Sequence, residues 1–171
     1  FENLKWTAIE LSPVSARMLQ ALRPDVQVVE GSFEKWAAAH GGLVGQFGLV
    51  LSNPPYGPRG VSKKADPGDW EKVDKTHTYF MLRSLGFLAA GGLGVYAVPS
   101  QLMTAKHEEA TRRTLLRSNH LSAAFRLPSG LFPGLPLTTI IDVWFMRARG
   151  GTLTEVDEAD QFIVEGNYFQ Q

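Results

Sequence analysis

Phe47-Gly48-Leu49-Val50-Leu51-Ser52-Asn53-Pro54-Pro55-Tyr56 is the stretch whose reading decides the fold of this chain. Its first six residues form a short apolar run, the pattern of a strand buried in a sheet. Two consecutive prolines then hold two φ angles at about −65° and push each preceding residue out of the α region. The chain therefore leaves the strand through a stiff turn, to which Pro55 brings no N–H. The Asn53 carboxamide and the Pro54 carbonyl are left to face a cleft at the carboxyl end of the sheet, where open α/β folds bind ligands. Tyr56 adds a flat ring beside them. A pair of acceptors with a stacking face suits an exocyclic amino group on a planar molecule.

Upstream of this turn, Trp6-Thr7-Ala8-Ile9-Glu10 predicts a strand that ends in an acid. Ser12-Pro13 opens a helix reaching Leu22, with Val14, Met18, Leu19 and Leu22 at helical spacing. Val26-Gln27-Val28-Val29 is a second short strand, closed by Glu30-Gly31-Ser32-Phe33, and a short helix follows over 34–40. Downstream, residues 59–74 are polar and charged and read as a long surface loop. Residues 78–90 predict an apolar helix stopped by Gly91-Gly92, and 94–98 the next strand, stopping at Pro99. Residues 106–118 form a charged amphipathic helix, and 121–127 and 139–146 are two more strands around a Pro/Gly-rich loop.

Strands alternating with helices indicate an α/β protein with a mostly parallel sheet covered on both faces. The last two strands have no helix between them, so an antiparallel hairpin at one edge is expected. Residues 1–150 read as one domain, and 151–171 as an acidic tail or linker.

Composition narrows the chemistry. No apolar stretch is long enough to span a bilayer and no secretion signal is legible, so cytoplasm is the expected location. The formal net charge is zero, so any grip on DNA is local or supplied by another part. The chain has no cysteine, which removes disulfides, thiolate metal sites and any cysteine nucleophile for attack on a cytosine ring. His40, His77, His107 and His120 are scattered without a metal-ligand pair, and no metal is assigned.

An (Asn/Asp/Ser)-Pro-Pro-(Tyr/Phe/Trp) turn after a strand resembles the catalytic motif of amino-group methyltransferases that use S-adenosylmethionine. With Asn first and Tyr last, it is most similar to the N6-adenine DNA methyltransferases of restriction–modification and mobile-element systems. Related turns occur in glutamine-N5 and RNA methyltransferases, and a non-catalytic methyltransferase-like module is a further alternative. The resemblance extends to the helix ending in Gly91-Gly92, the strand into Val98-Pro99-Ser100, and Leu127-Pro128-Ser129-Gly130-Leu131-Phe132. It implies a Rossmann-like methyltransferase fold, with Asn53, Pro54, Pro55 and Tyr56 as the catalytic turn and DNA, its target adenine flipped out, as the partner.

The same resemblance implies cofactor contacts at Glu10, Ser32, Phe33 and Asn53. An acid at the end of an early strand accepts bonds from ribose hydroxyls, and this place falls to Glu10. Ser32 stands where the family often has an acid, and Phe33 either packs on the adenine ring or plugs the core. Phe132 is the candidate second aromatic against the target base, or a core residue. The family's Gly-rich loop precedes the ribose acid, and no glycine stands before Glu10. The chain is therefore expected to be a catalytic-domain fragment whose N-terminal strand and loop come from the same protein or from another chain. Arg59, Lys63 and Lys64 are the cations expected near a nucleic-acid backbone, whereas Lys106, Arg112, Arg113 and Arg117 read as a solvated helix face.

Overall fold

The computed structural model describes residues 4–130 and 140–170. Backbone packing divides them into two units, one of residues up to Gly42 with Arg59–Asp74, the other of Leu43–Pro58 with the residues from Lys75 onward.

In the first unit, β1 (Trp6–Glu10) pairs in parallel with β2 (Val26–Glu30), in register from Trp6↔Val26 to Glu10↔Glu30. The connection is α1 (Pro13–Leu22). The Ser12 hydroxyl accepts from the Ser15 N–H at 3.3 Å, and Pro13 takes an early helical position where its missing N–H costs nothing. Ser32 caps α2 (Phe33–Ala39) in the same way, accepting from the Lys35 N–H at 3.3 Å. The spacing of Val14, Met18 and Leu22 is helical as expected, yet these side chains expose 58%, 60% and 75% of their surface, and Ala16 is the buried residue of α1. Periodicity identified the helix but not whether its stripe would be covered.

Residues 59–74 are ordered rather than an open loop. They form two 3₁₀ stretches, Gly60–Ala65 and Gly68–Lys72. Arg59 is buried and organises them: its guanidinium donates to the Trp70 carbonyl, and its N–H donates to the Asp74 carbonyl at 2.8 Å.

The second unit is a four-stranded sheet in the order β3-β4-β6-β5. The strand β3 (Phe47–Ser52) is followed by α3 (Thr76–Leu85) and β4 (Leu88–Pro99), and β3 and β4 run parallel. After β4 come α4 (Gln101–Thr104), α5 (Glu109–Ser118), β5 (Asn119–Arg126) and β6 (Ile141–Ala148). Strand β6 lies antiparallel to both β4 and β5, which gives the expected edge hairpin. The α/β class and parallel core strands agree with a Rossmann-like fold.

Gly91-Gly92 is not a helix stop. The helix ends at Leu85, and both glycines lie inside β4, where the ladder with β3 shifts register between Phe47 and Leu49. Gly91 adopts φ +76°, and a Cβ on Gly92 would lie 2.9 Å from the Ala89 carbonyl oxygen and 3.0 Å from that of Phe47. The pair permits a bulge with close backbone approach.

The core of this unit joins Met81 and Leu85 of α3, Tyr96 and Val98 of β4, Leu115 and Leu116 of α5, and Trp144 and Met146 of β6. Val156, Ile163 and Val164 complete it, the last two on α6 (Gln161–Val164). The acidic stretch after Gly151 is thus folded onto the core and is not a tail. Its charge masked three apolar anchors, and Arg149 neutralises part of it by pairing with Asp157 at 2.7 Å and Asp160 at 3.1 Å. Arg112, expected at the surface, is 1% exposed and donates to the carbonyls of Leu102, Ala105 and Val164, each at 2.9 Å.

Candidate active site

The strand β3 delivers its proline turn to the carboxyl end of the parallel pair, as the sequence required. Asn53 is exposed, Pro54 buried and Pro55 exposed, while Tyr56 keeps 37% of its surface accessible. The Tyr56 hydroxyl lies 3.3 Å from Asn53 Oδ1 and 3.2 Å from the Ala97 carbonyl oxygen on β4. One phenolic proton thus serves two acceptors. Partial burial raises the Tyr56 pKa above its ordinary value, so the phenol stays a donor.

Gly57 follows with φ +108°, a backbone conformation that favours glycine. Its carbonyl accepts from the Thr76 N–H at 2.8 Å and from Thr76 Oγ1 at 3.0 Å, and Pro58 bridges to Lys75. These bonds dock the motif to the start of α3. The next residue, His77, is buried and sets its ring edge-to-face with Tyr56, with centroids 6.1 Å apart and planes at 82°. Sequence reasoning passed over His77 because nothing in its spacing links it to the motif. Only the return of the chain at Lys75 makes them neighbours.

In the first unit, the β1–β2 register brings Glu10 beside the turn after β2: the Gly31 N–H donates to the Glu10 carbonyl at 2.9 Å. Glu10 Oε1 accepts from the Ser12 N–H at 2.8 Å, which orients the carboxylate at the strand end. An oriented, half-exposed carboxylate beside a turn bearing Phe33 has the chemistry to hold a ribose and a purine, so these residues fit the cofactor. Ser32 spends its hydroxyl on capping α2. Phe33 is half-buried and stacks beside Trp36, with centroids 6.3 Å apart. Phe132 lies outside the described residues. Of the three loop cations, Arg59 is buried, Lys63 pairs with Asp74, and Lys64 is exposed.

One cluster the sequence hid joins His120, Asp157 and Asp160, whose ligand-type atoms lie within 4.8 Å of one another. Arg149 bonds all three, reaching His120 Nε2 at 2.7 Å besides the two acids. A guanidinium already supplies the positive charge there.

Residues 14–132 match the family model described as Eco57I restriction-modification methylase. This chain belongs to that family. A relative is the "Defense against restriction protein B" of Escherichia phage P1, 32% identical over 149 residues, 87% of this chain. The chain spans only 6% of that protein's length. The M protein of the type I restriction enzyme EcoKI shares the fold at TM-score 0.64 and 21% identity, over 88% of this chain and 32% of that one. A chain from a type I R-M system does so at TM-score 0.65 and 20% identity, over 86% of this chain and 31% of that one. Both likenesses place this methylase-family chain in the same α/β fold.

Proposed function

We propose that this chain is the catalytic part of an enzyme that methylates the N6 amino group of adenine in DNA. We place it in a restriction–modification or mobile-element protein working in the cytoplasm. The observation that supports this most is the Asn53 carboxamide oxygen beside the Tyr56 phenol at the carboxyl end of β3, in a chain of the restriction-modification methylase family.

Adenine N6 is a poor nucleophile because its lone pair is delocalised into the ring. Asn53 Oδ1 and the Pro54 carbonyl each accept one N–H, which favours a pyramidal nitrogen and takes its lone pair out of conjugation with the ring. A carboxamide oxygen has two lone pairs, so Asn53 can keep Tyr56 and take a substrate N–H together. Such bonds count most where charge develops on the nitrogen. Bound S-adenosylmethionine supplies an electrophilic methyl group to this amine. Asn53 is neutral and is not a full base, so the proton passes to water after transfer. Glu10 and the turn at Ser32 and Phe33 hold the cofactor, and Tyr56 stacks on the flipped base and offsets part of the cost of unstacking it.

Among the described residues, β1 pairs only with β2 and β3 only with β4. We assign the open edge of β3 to a further strand, from the same protein or another chain, that carries the Gly-rich loop.

The test is label transfer from methyl-labelled S-adenosylmethionine by the full-length protein. Duplexes with and without adenine are set against release-factor glutamine and ribosomal RNA. Labelled N6-methyladenine is expected, and label confined to glutamine or RNA would overturn the proposal. Tyr56→Phe keeps the ring and loses the anchor to Ala97, and is expected to lower turnover by about threefold. Tyr56→Ala removes the platform and should raise KM for the duplex by about ten- to hundredfold, since stacking a base is worth about 1–3 kcal/mol. Steady-state kinetics of the two variants separates anchor from platform.

A further inference from the structure

His77 is a buried polar group beside the motif that has no part in the methyl-transfer reading. It is 7% exposed, at the first turn of α3, and its Nδ1 is buried without a hydrogen-bond partner among the described residues. An unsatisfied buried polar atom costs stability, so a side chain of this kind calls for a reason. Its ring meets the Tyr56 ring at 82°. Tyr56 is therefore held at two points, its hydroxyl on Asn53 and Ala97 and its ring on His77, while more than a third of its surface stays open.

We infer that His77 is a positioning residue of the catalytic turn, a neutral imidazole that sets the plane of the Tyr56 ring against which the target base stacks. This rests on the methyl-transfer reading above. His77 does not touch substrate and acts through Tyr56. The surroundings favour the neutral ring. Burial lowers the His77 pKa from its ordinary value and Lys75 works in the same direction, while Glu108 opposes them. Glu108 is itself bonded to Lys75 and lies 3.6 Å from His107. The first turn of α3 adds the positive end of a helix dipole, which also disfavours imidazolium. Protonation would bury an imidazolium with its Nδ1–H unpaired, and the ring would have to move away from Tyr56 to hydrate that charge.

The sign follows from the downward shift. The neutral, docked state is complete above the ordinary histidine range, about pH 6.5, and is lost as pH falls through the lowered value. Duplex binding should weaken over that acid limb.

The experiment uses the full-length protein with an adenine-containing duplex and compares wild type, His77→Ala and His77→Phe between about pH 5 and 8. Melting curves confirm that each variant is folded at the assay temperature, and calorimetry measures S-adenosylmethionine affinity. His77→Ala is expected to raise KM for the duplex about tenfold, the upper range for one aromatic pair, with kcat and cofactor affinity within about twofold. His77→Phe keeps a neutral ring at the same place, so it should restore KM and flatten the acid limb. A wild-type KM in His77→Ala, or an unchanged acid limb in His77→Phe, would overturn the positioning role. Failure of the wild-type protein to label adenine is a different outcome and would sink the methyl-transfer reading itself.

Discussion

Asn53→Ala in the full-length protein is expected to cut methyl transfer by about 10²–10³-fold, the scale for removing one preorganised group that acts on developing charge. Affinity for S-adenosylmethionine should change by no more than about threefold, because Glu10 and the turn after β2 carry most of the proposed cofactor contacts. The structure makes this a clean substitution. Asn53 is exposed, so no cavity opens, and the Tyr56 hydroxyl retains the Ala97 carbonyl at 3.2 Å when the carboxamide is gone. The aromatic platform therefore keeps one anchor while the acceptor disappears. Single-turnover rates with saturating duplex, alongside calorimetry of the cofactor, are the measurement. Turnover within about fivefold of wild type would remove Asn53 from the chemistry.

Arg112→Ala is the substitution expected to cost most stability, about 3–5 kcal/mol. Three main-chain carbonyls, from Leu102, Ala105 and Val164, accept from Nη1 and Nε of this one guanidinium, and alanine supplies neither donor. The residue is 1% exposed, so water does not simply replace the lost donors. Burial lowers the Arg112 pKa from its ordinary value, yet an arginine remains charged far above neutral pH, and the three carbonyls are what compensate its desolvation. The bonds also tie α6 to α4 and α5, so their loss should free the residues after Gly151 first. Urea unfolding followed by tryptophan emission tests this. A loss below about 1 kcal/mol would mean that the carbonyls find other partners. Arg112→Lys supplies one compact donor in place of a fork and should recover only part of the loss.

Much of the candidate site was legible before any coordinates because its signals are local. Two prolines after an apolar run dictate a stiff strand exit wherever they occur, and Ser12-Pro13 caps a helix through a bond to a residue three positions on. Glu10 could be placed at the end of a short strand in the sequence, and the β1–β2 register then set it beside Gly31. What escaped were residues whose meaning depends on distant partners. Arg59 and Arg112 look like surface cations in the sequence, but each is buried against carbonyls of other segments. The acidic C-terminal stretch looked like a linker because its charges outnumber its anchors, yet Val156, Ile163 and Val164 suffice to fold it back.

The chain's own sequence determined the α/β class, the alternation of strands and helices with an edge hairpin, and the Asn53–Tyr56 turn, because backbone sterics and hydrophobic period act over a few residues. Tertiary structure alone decided that β4 would absorb Gly91 and Gly92 as a bulge and that Arg112 would become an internal donor. It also decided that His77 would stand against Tyr56. Each of these depends on where remote carbonyls and rings arrive once the strands have paired, and burial then converts a surface preference into an obligation to find partners.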